Sequence, residues 1–190
     1  MNKGLMIGLY SSSMRSGKST VARMLENSLS AETMSFAEPI RNAVIEIASP
    51  FIGSRRLTKS WLTDERKDWT VIPELGVTLR WLLQTWGQIG RKNIHQDLWV
   101  KLAEQRALDC NDPVIFDDMR FPNEYDMIKR NGGLCIRIVR DVGLMSDANG
   151  SEGLLDDHMF DITVPNFGSL RDLSDEVGRV ANDIRERKLR

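Results

Sequence analysis

The chain has 190 residues, 41% of them hydrophobic and 28% charged, with 26 Lys and Arg against 27 Asp and Glu and a formal net charge of −1. That is the size of one domain with room for a small insertion, and the near-neutral balance excludes a general basic face for nucleic acid. Two cysteines without C-x-x-C spacing exclude a disulfide framework or a zinc site and fit a reducing cytoplasm, while no apolar run nears the roughly 18 residues of a membrane span and no signal-peptide pattern opens the chain.

In chain order, residues 4–9 form a short apolar run, expected as a central strand buried on both faces. A polar loop follows, and from Ser19 onward Val21, Ala22, Leu25 and Leu29 recur at helical spacing. Residues 32–36 suggest a second strand. Pro39 opens a helix lined by Ile40, Ala43, Val44 and Ile47, which Pro50 is expected to end. Residues 51–72 carry a basic cluster with interleaved acids and no sustained period. A helix is expected over 77–89, then another after Asp97, which suits a cap.

Residues 113–116 read as a third buried strand closed by Asp117 and Asp118. Pro122 starts a helix, and Asn131-Gly132-Gly133 stops it. Strands are expected at 134–139 and 160–164, a polar loop over 141–157, and a final helix over 170–187. Strands alternate with helices throughout, which predicts an α/β layered domain with a parallel sheet.

The chemistry is densest at Gly17-Lys18-Ser19-Thr20, which follows a strand and opens a helix. Strand, loop, Gly-Lys-Ser and helix is the order of a phosphate-binding loop. Such a loop aims backbone N–H groups and a helix N-terminus at one anion. Lys18 would add a charge on the outer phosphates, and the Ser19 hydroxyl would sit on Mg²⁺. Ser13, Arg15, Ser16 and Thr20 complete the candidate nucleotide contacts. Five residues before Gly17 the pattern calls for glycine and the chain has Ser12, a change expected to weaken the loop.

Asp118, at the end of the third strand, is the candidate second metal group, with Asp117 the alternative. Arg41, Arg80, Arg91, Arg120, Arg137 and Arg140 stand near element ends, where guanidinium forks would stabilise a moving phosphoryl group. Gln84 could read a base edge through its amide. His95 and His158 have no metal-site spacing.

At these residues the sequence resembles the bacteriophage deoxynucleoside monophosphate kinases. The blocks that carry the likeness are Phe36-Ala37-Glu38-Pro39-Ile40-Arg41, residues 79–87 with Arg91, residues 115–124 with their Asp-x-Arg-Phe-Pro-Asn-Glu run, residues 136–140, Ser151-Glu152 and residues 166–170. They keep the family's order over nearly the whole chain. The differences are Ser12 and Arg15 in the loop and Gln88-Ile89 after Gly87.

The resemblance implies a P-loop NTPase fold of the NMP-kinase type. It has a three-layer core with a five-stranded parallel sheet, a helical monophosphate-binding insertion over 37–100 and a lid-like loop over 141–157. It implies ATP- and Mg²⁺-dependent phosphorylation of a deoxynucleoside monophosphate for phage DNA synthesis. By position, Phe36, Arg41, Arg80, Gln84 and Arg91 would take the monophosphate, and Lys18, Arg91, Asp118 and Arg120 would serve the transfer. Ser19 and Asp118 would hold the metal, while Arg137 and Arg140 lie near the lid on the ATP side. The expected partners are small nucleotides, with no nucleic acid or membrane, and a homodimer is left open. Three rivals remain: another small-metabolite kinase of the dephospho-coenzyme A type, a nucleotide-binding regulator without transferase activity, and a DNA-associated ATPase suggested by the basic stretch 55–67, against which the near-neutral overall charge argues.

Overall fold

The computed structural model describes residues 4–13, 16–140 and 153–187. The expected lid-like loop at 141–157 therefore lies outside the described residues up to position 152, as does Arg15. The chain falls into two compact units, one made of Met1–Phe36 and Ala103–Arg190, the other of Ala37–Leu102.

The first unit is built on a parallel sheet. Strand β1 (Met6–Tyr10) leads to helix α1 (Lys18–Leu29) and strand β2 (Glu32–Met34). The second unit follows with α2 (Glu38–Ile52), α3 (Arg55–Thr63), α4 (Arg66–Trp69), the short strands β3 (Val71–Ile72) and β4 (Val77–Thr78), and α5 (Leu79–Ile89). A π-helical turn, Gly90–Ile94, precedes α6 (Leu98–Asp109). The chain then completes the first unit with β5 (Val114–Phe116), α7 (Pro122–Arg130), β6 (Leu134–Val139), β7 (Ile162–Pro165) and α8 (Leu170–Arg187).

The five main strands lie in the order β2-β5-β1-β6-β7, all parallel, with Ile7 opposite both Ile115 and Leu134. Every residue of β1 is buried because helices cover both faces of the sheet. Ile7 and Leu9 pack with Val21, Ala22 and Leu25 of α1 and with Leu173, Val177 and Ile184 of α8. Gly8 points the other way, where a Cβ would collide with Ile128 of α7 and with Met119. A side chain at position 8 would have to displace the tips of the Ile128 and Met119 side chains, which fill that space. From β1 the chain moves to one side of the sheet, and from β5 it crosses to the other. In open parallel sheets such a reversal opens a crevice at the C-terminal strand ends.

The second unit has its own apolar centre. Val44, Ile45 and Ala48 of α2 meet Leu62, Ile72 and Leu79. Here the structure departs from the sequence reading in two ways. Helix α2 runs past Pro50 and stops at Gly53, because a proline in the last turn removes only one helical hydrogen bond. The stretch 51–72 holds two helices and the first strand of a hairpin. Ser54 caps α3 by accepting from Leu57 N, yet α3 buries only Thr58 and Leu62, too few positions to show a period. No helix among the described residues is long and apolar enough to cross a membrane.

Candidate functional site

In the first unit, the C-terminal ends of the parallel strands gather the loop after Tyr10, Ser35 after β2, Asp117 and Asp118 after β5, Arg140 after β6 and Asn166 after β7. The loop ends at Gly17, whose φ of 98° and ψ of 11° lie in the left-handed region. Thr20 and Val21 donate to the Gly17 carbonyl, so the helix begins at Lys18, and no side chain caps it. Its first N–H groups are thus presented forward without a capping side chain. Ser16 is 1% exposed, and its Oγ has no hydrogen-bond partner among the described residues. A buried hydroxyl left without a partner is costly, and a ligand at the loop would answer it. Ser19 is exposed, while Lys18 and Thr20 are partly buried.

Ser12 turns out not to need glycine's freedom. The only described non-glycine residue with positive φ is Ser30, at the end of α1. The loop is braced instead by the Ser11 hydroxyl, which donates to the Ser13 carbonyl at 3.0 Å and accepts from Ser13 N at 3.2 Å.

Asp118 is half-buried and committed to the chain after β2. One carboxylate oxygen accepts from Phe36 N at 2.9 Å, and the other accepts from the Ser35 hydroxyl. Phe36 itself is 3% exposed, with its ring stacked on Phe116 at 4.5 Å. The ring belongs to the core, and what Phe36 gives the site is its backbone N–H. Asp117 N donates to Met34 O at 3.3 Å, tying β5 to β2 at the same edge.

The turn after Asp118 is held by Glu124, a buried carboxylate that accepts from Arg120 N at 2.7 Å and Phe121 N at 3.1 Å. With Pro122 at the first helical position, this is the reciprocal half of a capping box. The Arg120 side chain is exposed.

Arg137 and Arg140 differ. Arg140 is exposed beside residue 141, where the described structure breaks off. Arg137 donates to Asp156 Oδ1 at 2.9 Å and to its carbonyl at 3.1 Å, with its guanidinium over the rings of Tyr10 and Phe160. Those rings stack at 5.2 Å, and the Tyr10 hydroxyl also donates to Asp156 at 2.9 Å. Burial, reinforced by Asp156, pushes the Tyr10 phenol up to about 12. The segment before β7 is thereby pinned to the last residue of β1.

The second unit holds the other candidates. Arg80 and Gln84 stand four apart on α5 and so share one face. Arg80 pairs with Asp68 at 2.5 Å on the exposed surface. Arg91 lies in the π-helical turn, which forms because His95 N reaches back to Gly90 O at 3.0 Å. The buried Trp99 ring lies against Gly90 and donates its Nε1 hydrogen to Gly87 O at 2.9 Å. A π turn shifts the side chains after it around the helix axis, a distortion frequent at functional sites. Arg41 sits in the first turns of α2, and among the described residues its guanidinium makes no ion pair.

Sequence reasoning gave no individual role to Ser35, Glu124, Asp156 or Asn166, although Glu124 and Asn166 fall in blocks that carry the resemblance. Glu124 was legible as the third helical residue after Phe121. The other three act across the fold and carry no local signal. Comparison of the sequence with protein-family models and with curated proteins finds no match.

Proposed function

We propose that the chain is a P-loop kinase of the NMP-kinase type that transfers the γ-phosphoryl group of ATP to a deoxynucleoside monophosphate. The observation that carries this reading is the Ser16–Gly17 turn. It combines a left-handed glycine, an uncapped twelve-residue helix and a buried, unpartnered hydroxyl at the central strand of a parallel sheet. The resemblance over residues 36–41, 79–91 and 115–124 supplies the acceptor.

In the proposed reaction an acceptor phosphate oxygen attacks the γ-phosphorus in line. The bond to the bridging oxygen breaks, and ADP leaves. Lys18 and the N–H groups at the start of α1 hold the β- and γ-phosphates. Arg41, Arg80 and Arg91 orient the acceptor phosphate, Gln84 meets the base, and Arg120 offsets charge on the moving group.

Asp118 stands at the end of β5, where its oxygens accept from Phe36 N and the Ser35 hydroxyl, and it is the proposed carboxylate for a cation or its water. Mg²⁺ held by Asp118 and Ser19 would neutralise charge on the phosphates. Among the described residues no three His, Cys, Asp or Glu side chains group to hold an ion, so phosphate and water oxygens would complete its shell.

The test is a panel of deoxynucleoside and ribonucleoside monophosphates and dephospho-coenzyme A, each with ATP and Mg²⁺. ADP produced only with a deoxynucleoside monophosphate supports the proposal. ADP only with dephospho-coenzyme A replaces it with the rival kinase. One observation favours a binding protein without transfer: both Asp118 oxygens already serve Ser35 and Phe36. That reading predicts ATP binding with no ADP from any acceptor.

A further inference from the structure

Asn166 stands directly after β7, far along the chain from the phosphate loop, yet it reaches that loop. It is 8% exposed, its backbone N–H donates to Val139 O at 2.8 Å, and its Nδ2 donates to Ser16 O at 2.8 Å. The amide orientation follows from chemistry, since only the NH₂ group can donate to a carbonyl. A Cβ on Gly17 would lie 2.6 Å from the same nitrogen.

The consequence lies in the Ser16–Gly17 peptide. In a planar trans peptide the C=O and N–H vectors are opposed. With the Ser16 carbonyl held by Asn166, the Gly17 N–H must point away from Asn166. Gly17 is also where this peptide could most easily turn over, because glycine accepts both signs of φ. A flipped peptide would present a carbonyl oxygen to an anion in place of an N–H donor. We infer that Asn166 is a positioning residue that locks the Ser16–Gly17 peptide, so that the Gly17 N–H serves as a fixed donor to a polyphosphate. This rests on the phosphate-loop reading above and adds a residue that the loop's own motif does not contain.

The test uses the full chain and the variants Asn166→Asp and Asn166→Ala. Asn166→Asp is nearly isosteric but exchanges the donor for a charged acceptor, whereas Asn166→Ala removes the donor without adding charge, so the alanine variant separates the lost lock from anion repulsion. Calorimetric titration with inorganic triphosphate and with Mg-ATP should show binding weakened about tenfold or more in both variants. The KM for ATP should rise by a similar factor, with the acceptor KM unchanged. The Gly17 amide resonance, shifted by triphosphate in the native chain, should stay unmoved in Asn166→Asp. Equal triphosphate affinity in either folded variant overturns the inference. Loss of folding in both makes Asn166 a residue of the fold alone and overturns it too. A native chain that binds neither triphosphate nor ATP overturns the phosphate-loop reading itself, which is a separate and distinguishable failure.

Discussion

The Asp118 carboxylate holds the backbone N–H of Phe36 at 2.9 Å, joining the end of β5 to the last residue before the second unit begins. The same carboxylate takes the Ser35 hydroxyl. Asp118→Asn should therefore act twice, lowering the melting temperature and reducing ADP formation by orders of magnitude. Ser35→Ala removes one donor to that carboxylate, at about 1.5–3 kcal/mol for a hydrogen bond to a charged group, and should leave turnover within a few-fold of native. Thermal melts beside steady-state rates separate the two effects, and equal kinetic damage from both variants would refute a distinct role for Asp118.

Lys18→Ala should reduce turnover by at least about a hundredfold, because it removes the loop's positive side chain from the phosphates. The fold should persist, since Lys18 is the first residue of α1 and lies outside the core. Circular dichroism with a coupled ADP assay checks both halves. Full activity in the folded variant would end the kinase assignment.

Arg91→Lys keeps the charge at the π-helical turn and loses the planar fork. If Arg91 grips a phosphate bidentately, the acceptor KM or the turnover should worsen about tenfold or more, with little change in the KM for ATP. An unchanged acceptor KM and rate would remove Arg91 from the site.

Cys135 is fully buried in β6, and burial pushes its thiol up to about 12. At pH 8 only about one molecule in ten thousand would carry the thiolate, the reactive form. Alkylation of the native chain at that pH should reach Cys110 and spare Cys135, with both reacting after denaturation. Mass spectrometry of alkylated peptides reads the result, and rapid native labelling of Cys135 would contradict the packing of β6.

Ser169 and Asp172 form the start of α8. Asp172 accepts from Ser169 N and Oγ, each at 2.8 Å, and these bonds hold its carboxyl below the usual carboxylate value. A depressed folded value means that this stabilisation is present above the unfolded pKa of about 3.9 and is lost as pH falls through the folded value. Ser169→Ala should flatten the acid limb of a stability-versus-pH curve. An unchanged limb would show that the cap does not titrate with folding.

Much of the first unit was legible because its signals are local. An apolar run before Gly17-Lys18-Ser19 announces β1 and α1, and Pro122 with Glu124 announces α7. The second unit was harder. Helices α3 and α4 are short and bury few side chains, and the β3–β4 hairpin has two residues per strand, so neither produces a period. Asn166 was illegible for another reason. Its block, residues 166–170, belongs to the resemblance, but its contact with Ser16 joins positions 150 apart, and nothing local announces that partner.

The strand order has a bearing on how the chain acquires its form. The second unit is one unbroken stretch, Ala37–Leu102, and its apolar centre is complete once that stretch has left the ribosome. β1, by contrast, pairs only with β5 and β6, more than a hundred residues later. β1 must therefore wait for neighbours made much later, and closing so large a loop is slow. The turn at Ser16 and Gly17 is completed by a residue translated 150 positions later. A newly made chain should therefore gain a folded helical unit well before the turn at Ser16 and Gly17 is complete.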